Sequence, residues 1–326
     1  MPRPQRDASP SRRRLLTSLA LAAPGLGLAQ GGRPVRLVVP FAAGGAADSA
    51  ARSLTPRMAE KLGTTFVVEN RTGAGGSLGG GEVARSAPDG ATLLWDASSH
   101  MVNHVLLRGL PFDYTTAFLP ISLVVTFPQV IAVKADFPAR TLSEFIAAAR
   151  ARPNTLNIGT QGNATAGHLG LAMFARRAGI EVQHVPYRGG SDAARDLAAG
   201  NLDGVFITAL SASPIVDSGR ARFIAVAAAE RLPARPDVPT IAESGIAGFD
   251  VSEWAALFAP TGTHMAIADR LHAALAETLR EPEVRARLAQ LGAVPVGSTP
   301  AEFARFRAEG RIAMATLVRE ANIRIE

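Results

Sequence analysis

The chain has 326 residues, 47% of them apolar and 19% charged, enough for one two-lobed domain or two ordinary domains around a sizeable core. Its net charge is +6, but residues 1–29 hold five Arg and one Asp, so the remainder carries only +2. With no basic run interleaved with aromatics, a nucleic-acid partner is excluded. The absence of Cys excludes disulfides, thiol chemistry and a Cys-linked lipid anchor.

In chain order, the first 29 residues form a basic start at Arg12, Arg13 and Arg14, then an apolar run from Leu15 to Leu28 broken by Pro24 and Gly25. That run is shorter than the roughly 20 residues that span a bilayer. Gly27-Leu28-Ala29 supplies the small residues of a cleavage site. The segment reads as a Sec or twin-arginine signal peptide cleaved near Ala29, which places the mature chain in the periplasm.

After it, short apolar strands alternate with helices. Strands are expected at 36–39, 65–69 and 91–95, with helices to about residue 62 and over 77–86. Ile121–Val125 and Gln129–Val133 read as two strands flanking Phe127-Pro128. Thr55 and Pro56 suggest a kink or a fresh N-terminus inside the first helix. A second set starts near Phe137, with Thr141 and Glu144 as a capping box. Strands follow at 156–158, 182–185, 205–208 and 223–227, with helices over 164–178 and 191–199. Val251 to Phe258 reads as a further strand. Beyond it the chain is helical, ending in a helix that opens with Thr299, Pro300 and Glu302. These terminal helices, without strands of their own, are expected to pack on the first lobe. The pattern implies an α/β fold of two lobes, each a mostly parallel sheet flanked by helices. Lobe 1 takes 33–130 and 253–326, and lobe 2 takes 131–252. Two crossings, near 126–134 and 249–256, form a hinge.

Three glycine-rich turns lie between a strand and a helix start. "PFAAGGAADSAAR" (40–52) lacks the Lys of a phosphate loop and the spacing of a dinucleotide motif. It reads either as a self-capped turn, with Asp48 at the helix dipole, or as an anion site. In "NRTGAGGSLGGGE" (70–82), Gly75 to Gly79 matches G-x-S-x-G, so a secreted serine hydrolase using Ser77 is the rival reading. The elbow needs its strand to run straight into the Ser, however, and Asn70 to Ala74 intervene; Ser77 reads better as a helix N-cap. "NIGTQGNATAGHL" (157–169) repeats the pattern with hydrogen-bonding side chains, and His168 sits one turn into its helix. His100 and His104 have helical metal-ligand spacing but no third ligand. No cofactor or metal is expected.

Taken in order, "VPFAAGGAADSAAR", "VENRTGAGGSLGGGEVARSAPDGATLL", "GHLGLAMF", "HVPYRGGSDAARDLAAGNLDGVF", "RPDVPTIAESGIAGFDVSEW" and "APTGT" resemble the tripartite tricarboxylate transporter substrate-binding proteins, the TctC-like Bug family. The resemblance runs from Val35 to Ile325. It implies a Venus-flytrap receptor of type II-like architecture, not an enzyme. Such a receptor captures a small carboxylate (a dicarboxylate, amino acid or aromatic acid). It delivers it as a monomer to the membrane permease subunits, or signals through a sensor protein. Carried over, Phe41, Ala42, Gly44, Gly45 and Asp48, with Ala74, Gly75, Gly76 and Ser77, hold one carboxylate on lobe 1, and Ser98 lines the site. Thr160, Gln161, Gly162, Asn163, Ala164, Thr165, His168, Tyr187, Arg188 and Thr208 line lobe 2. Asp203 is placed as structural or at the cleft edge. Two departures stand out: the polar loop around Gln161 and Asn163, and His264 after "APTGT". Asp48 is expected to brace the N–H groups of its loop or to meet a ligand donor.

Overall fold

In the computed structural model, which describes Met1, residues 33–320 and Ile323, each strand of the first lobe begins where an apolar run follows a turn. The expected signal peptide lies outside the described residues. β1 (Val35–Val39) leads into α1 (Ala46–Leu62), and β2 (Phe66–Asn70) leads into α2 (Ser77–Ala84). β3 (Thr92–Ala97) ends in a tight turn and the short α3 (Asn103–Leu106). β1 pairs in parallel with both β2 and β3. α1 runs through Pro56 as one helix, so the expected restart at Thr55 does not occur. Proline forfeits a single backbone hydrogen bond. The helix is held instead by Leu54 and Met58, packed with Leu271 and Leu275 in the core.

The two strands expected around Phe127-Pro128 are one, β4 (Phe118–Lys134). It changes sheets at Pro128, which has no N–H to donate to a ladder.

The second lobe adds α4 (Leu142–Ala151), with its Thr141–Glu144 capping box, then β5 (Asn157–Thr160) and α5 (Ala166–Ala178). β6 (Gln183–Pro186), α6 (Gly190–Ala198) and β7 (Gly204–Thr208) follow. α7 (Ala209–Asp217), which the sequence reading missed, precedes β8 (Ala221–Val226). β6, β5 and β7 are parallel, and the end of β4 is inserted antiparallel between β7 and β8.

β9 (Ser252–Pro260) returns to the first lobe and lies antiparallel between β3 and β4. Among β1 to β9, each sheet is thus parallel apart from one reversed strand, β9 in the first lobe and β4 in the second, and that strand belongs to a crossing. α8 (Met265–Arg280) and α9 (Pro282–Gln290) cover α1. His264 caps α8, accepting the Ala266 N–H at Nδ1 at 3.2 Å. The terminal region has a strand after all, β10 (Val294–Pro295), paired with β4. α10 (Pro300–Glu320) opens with Thr299 and Glu302 capping each other's backbone. It does not stay on the first lobe: Leu317 and Val318 pack with Leu169 of α5, and Glu320 pairs with Arg176.

Candidate functional site

The C-terminal ends of parallel strands are where open α/β sheets present loops and helix N-termini to a ligand. On the first lobe, the turns after β1 and β2 lie side by side. Gly44 takes φ 76°, a conformation glycine adopts without a Cβ clash. Asp48, 2% exposed, accepts the Gly44 N–H at 2.9 Å, the Asn70 amide at 2.9 Å and Arg52 Nε at 3.0 Å. Asn70 also donates to the Phe41 carbonyl at 2.9 Å, which ties the two turns together. Burial pushes the Asp48 carboxyl up. The hydrogen bonds from Arg52, Gly44 and Asn70 outweigh it and hold the group below the usual carboxylate range. Asp48 is therefore an ionised brace whose oxygens already have partners.

In the second turn, Ala74 lies at φ 46° and Gly76 at φ 92°. The Gly75 carbonyl accepts from the Asn103 amide at 2.9 Å. Ser77 is not an N-cap: it is the first residue of α2, 6% exposed, and Gly76 is the cap. The N-termini of α1 and α2 both begin at a glycine with no side-chain cap; the Ser77 N–H is taken by the Ala74 carbonyl, but no side chain covers the other first-turn N–H groups of the two helices. Phe41, Ala42, Gly44, Gly45 and Ala74 to Gly76 are thereby brought into one patch.

On the second lobe, Thr160 ends β5 fully buried, its hydroxyl 2.7 Å from His184 Nε2. The Ala164 N–H donates to His168 Nδ1 at 3.3 Å, so that nitrogen holds a lone pair. The His168 and His184 rings stack at 4.0 Å. Burial pulls His168 down to about 4, and burial together with His168 pulls His184 down to about 3, so both are neutral at pH 7. Thr165 caps α5 and donates to the Gly162 carbonyl at 2.8 Å. Ala164 sits at φ 60° and Asn163 is exposed. Gln161 donates to Gln129 at 3.2 Å.

Two expected lining residues are otherwise engaged, and a third is exposed. The Tyr187 hydroxyl bonds to Asp196 at 2.7 Å, and burial pushes it up to about 12. Thr208 caps α7, its hydroxyl 2.9 Å from that of Ser211. Arg188 is exposed beside Tyr187. Asp203 is not at the cleft edge. It accepts the Asn157 N–H at 3.0 Å and pairs with Lys134 at 3.1 Å, at the far end of β5 from Thr160.

The lobes meet at Ser98. Its N–H and hydroxyl both donate to Glu253, each at 2.9 Å, and Trp254 N–H adds a third bond at 3.0 Å. Ala166 N–H, the first of α5, reaches Ser98 Oγ at 3.0 Å and Glu253 at 3.3 Å. Burial pushes the Glu253 carboxyl up, against the opposing pull of these donors. The sequence reading missed Glu253 and Gln129. Both are long polar side chains in otherwise apolar crossing strands, a pattern that could have found them.

A cavity of about 820 Å³ shares Ser98 and Ala166 with this junction, but its walls include Thr126, Pro128, Ser252 and Trp254, not the glycine turns. Alternation along a strand sends Ser252 and Trp254 to the face opposite Glu253. The cavity is therefore behind the crossing strands, not between the glycine turns.

His100 is fully buried, bonded to Asp96 at 2.9 Å and stacked on Phe258 at 4.3 Å, which is a core role. Among the described residues, no cluster of three or more His, Cys, Asp or Glu could hold a metal. Arg71 to Gly76 separate β2 from Ser77 and His100 is committed to Asp96, so the strand-to-serine geometry of the elbow is not present.

The tripartite tricarboxylate transporter family receptor signature matches residues 50–323. A UPF0065 protein from the tcbD–tcbE intergenic region of Pseudomonas sp. (strain P51) is 37% identical over 300 residues, 90% of this chain and 89% of that one. Protein BugT of Bordetella pertussis (strain Tohama I) is 33% identical over 300 residues, covering 90% and 91%. Among solved structures, Rpa4515 of Rhodopseudomonas palustris with adipate has TM-score 0.84 at 31% identity, covering 90% of this chain and 99% of that one. MatC (Rpa3494) of the same species, with bound malate, has TM-score 0.80 at 34% identity, covering 88% and 99%. The chain therefore belongs to the tripartite tricarboxylate transporter family of receptors, the TctC-like Bug group of periplasmic solute-binding proteins, which bind solutes and are not enzymes.

Proposed function

We propose that this protein is exported to the periplasm, captures a small carboxylate between its lobes and delivers it to the permease subunits of a tripartite tricarboxylate-type transporter. One lobe takes residues 33–130 and 253–326, the other 131–252, and the ligand bridges them. The observation that carries this reading is the pair of uncapped helix N-termini, α1 at Gly45 and α2 at Gly76, side by side at the ends of β1 and β2. Backbone N–H groups there suit a carboxylate, with hydrogen bonds to a charged acceptor contributing about 1.5–3 kcal/mol each. Strain supports it: Ala74 and Ala164, one in a glycine turn of each lobe, are held at positive φ. Such strain, about 1–2 kcal/mol per residue, collects at ligand clamps.

The test is a thermal-shift screen of the purified protein against mono-, di- and tricarboxylates and amino acids. A ligand at 100 times its Kd should stabilise the fold by about 2.7 kcal/mol. Gly44→Val should abolish that shift, because a β-branched residue at φ 76° rebuilds the turn. If no anion shifts the melting temperature, the carboxylate reading fails.

A further inference from the structure

We propose that Glu253 is a specificity-determining residue: its carboxylate fills the anion site at the α5 N-terminus, so the cleft selects ligands with one carboxylate over those with two. This rests on the carboxylate-receptor reading above.

An anion placed at a helix N-terminus is stabilised by the free N–H groups and the dipole. At α5 that place is already taken. The Ala166 N–H points at Glu253 at 3.3 Å and at Ser98 Oγ at 3.0 Å, and the Ser98 hydroxyl turns to Glu253 in its turn. Four donors from three segments converge on the one carboxylate: Ser98 N–H and Oγ–H from the first lobe, Trp254 N–H from β9, and Ala166 N–H from the second lobe. A ligand carboxylate arriving there would find the donors used and the place filled by the Glu253 carboxyl group. α2 has no acidic residue in its first turn, and in α1 the oxygens of Asp48 are taken by Gly44, Asn70 and Arg52, whose charge balances it, so one ligand carboxylate keeps its site on the first lobe.

The surroundings offer little compensation. Glu253 pairs with Phe127 across β9 and β4, and directly opposed residues share a face of the sheet. Two residues further along β4, on that face, lies Gln129, hydrogen-bonded to Gln161. Gln129 Nε2 and Gln161 Oε1 are buried without a partner, one spare donor and one spare acceptor, both neutral. His168 and His184 are uncharged, and Arg52 is committed to Asp48. Arg188 is exposed to water, where its charge is screened. The far end of the cleft thus suits an uncharged group able to hydrogen-bond, such as a hydroxyl, carbonyl or amide, and opposes a second anion.

The experiment is titration calorimetry at pH 7 with chain-matched acids: butyrate against succinate, and hexanoate against adipate. The purified wild-type protein should bind the monocarboxylate of each pair at least about tenfold more tightly, which corresponds to about 1.4 kcal/mol. Glu253→Gln and Glu253→Ala should each narrow that ratio to within about threefold by admitting the dicarboxylate. Equal or tighter binding of the dicarboxylates by the wild type overturns the inference while leaving the receptor reading standing. So does an unchanged ratio in both variants. The wild-type ratio decides the matter by itself should either variant fail to fold. If neither acid of either pair binds, Glu253 loses this role, while the carboxylate reading stands or falls with the wider thermal-shift screen.

Discussion

Acid should destabilise this protein through the stacked histidine pair of the second lobe. His168 and His184 start from an ordinary value of 6.5 and are pulled down to about 4 and about 3 in the fold. Their folded values are depressed, so the fold favours the neutral rings. That preference is fully present above pH 6.5 and is lost as pH falls toward 4 and then 3. At pH 5 the unfolded chain holds both rings protonated while the fold holds both neutral. One pH unit of such mismatch is worth about 1.36 kcal/mol per group, so 1.5 units on two rings give about 4 kcal/mol. Solvent reaches the edges of both rings, which brings the expected loss nearer about 2 kcal/mol. Protonating His168 also breaks its bond from the Ala164 N–H, which needs a lone pair at Nδ1. The assay is urea unfolding at pH 7 and pH 5, for the wild type and for the double variant His168→Asn/His184→Gln. Other titrating groups, including His100, His104 and Glu253, are common to both proteins and cancel in the difference. The wild type should lose about 2 kcal/mol more than the variant between the two pH values. Equal losses would refute the argument, and a wild type that gains stability in acid relative to the variant would reverse its sign.

Two further outcomes follow from the first-lobe turns. Asp48→Ala strips a buried brace and leaves the Gly44 N–H, Arg52 and the Asn70 amide without their acceptor. It should cost about 2–3 kcal/mol in urea unfolding and weaken carboxylate binding; a variant as stable as the wild type would show the brace to be idle. Ala74→Gly relieves φ 46° at an exposed position and should raise stability by up to about 1 kcal/mol. A lower melting temperature would show that Ala74 is not strained.

Much of the fold was legible because its signals are local. Apolar runs between turn residues mark β1, β2 and β3, and Thr141 with Glu144 announces α4 through a capping box that needs only four consecutive residues. The glycine turns were legible for the same reason. Errors came where distant packing outweighs local preference. Pro56 looked like a boundary, yet Leu54 and Met58 on either side of it are buried against α8, which keeps one helix. Phe127-Pro128 looked like a break between strands, yet β9 and β7 pair with β4 on either side of it.

By itself the sequence determined the alternation of strands and helices, the two lobes, the family motifs and the positions of three glycine turns. Those rest on periodicity, backbone permissiveness and order along the chain, which a single strand of residues contains. Only the tertiary structure decided what each polar group in the cleft is free to do. Asp48 became a brace, Thr208 a cap and Tyr187 a partner of Asp196, while Glu253 took the N-terminus of α5 from 87 residues away. A hydrogen bond between segments so far apart depends on how β9 and α5 are placed in space, and no local pattern of residues encodes that placement.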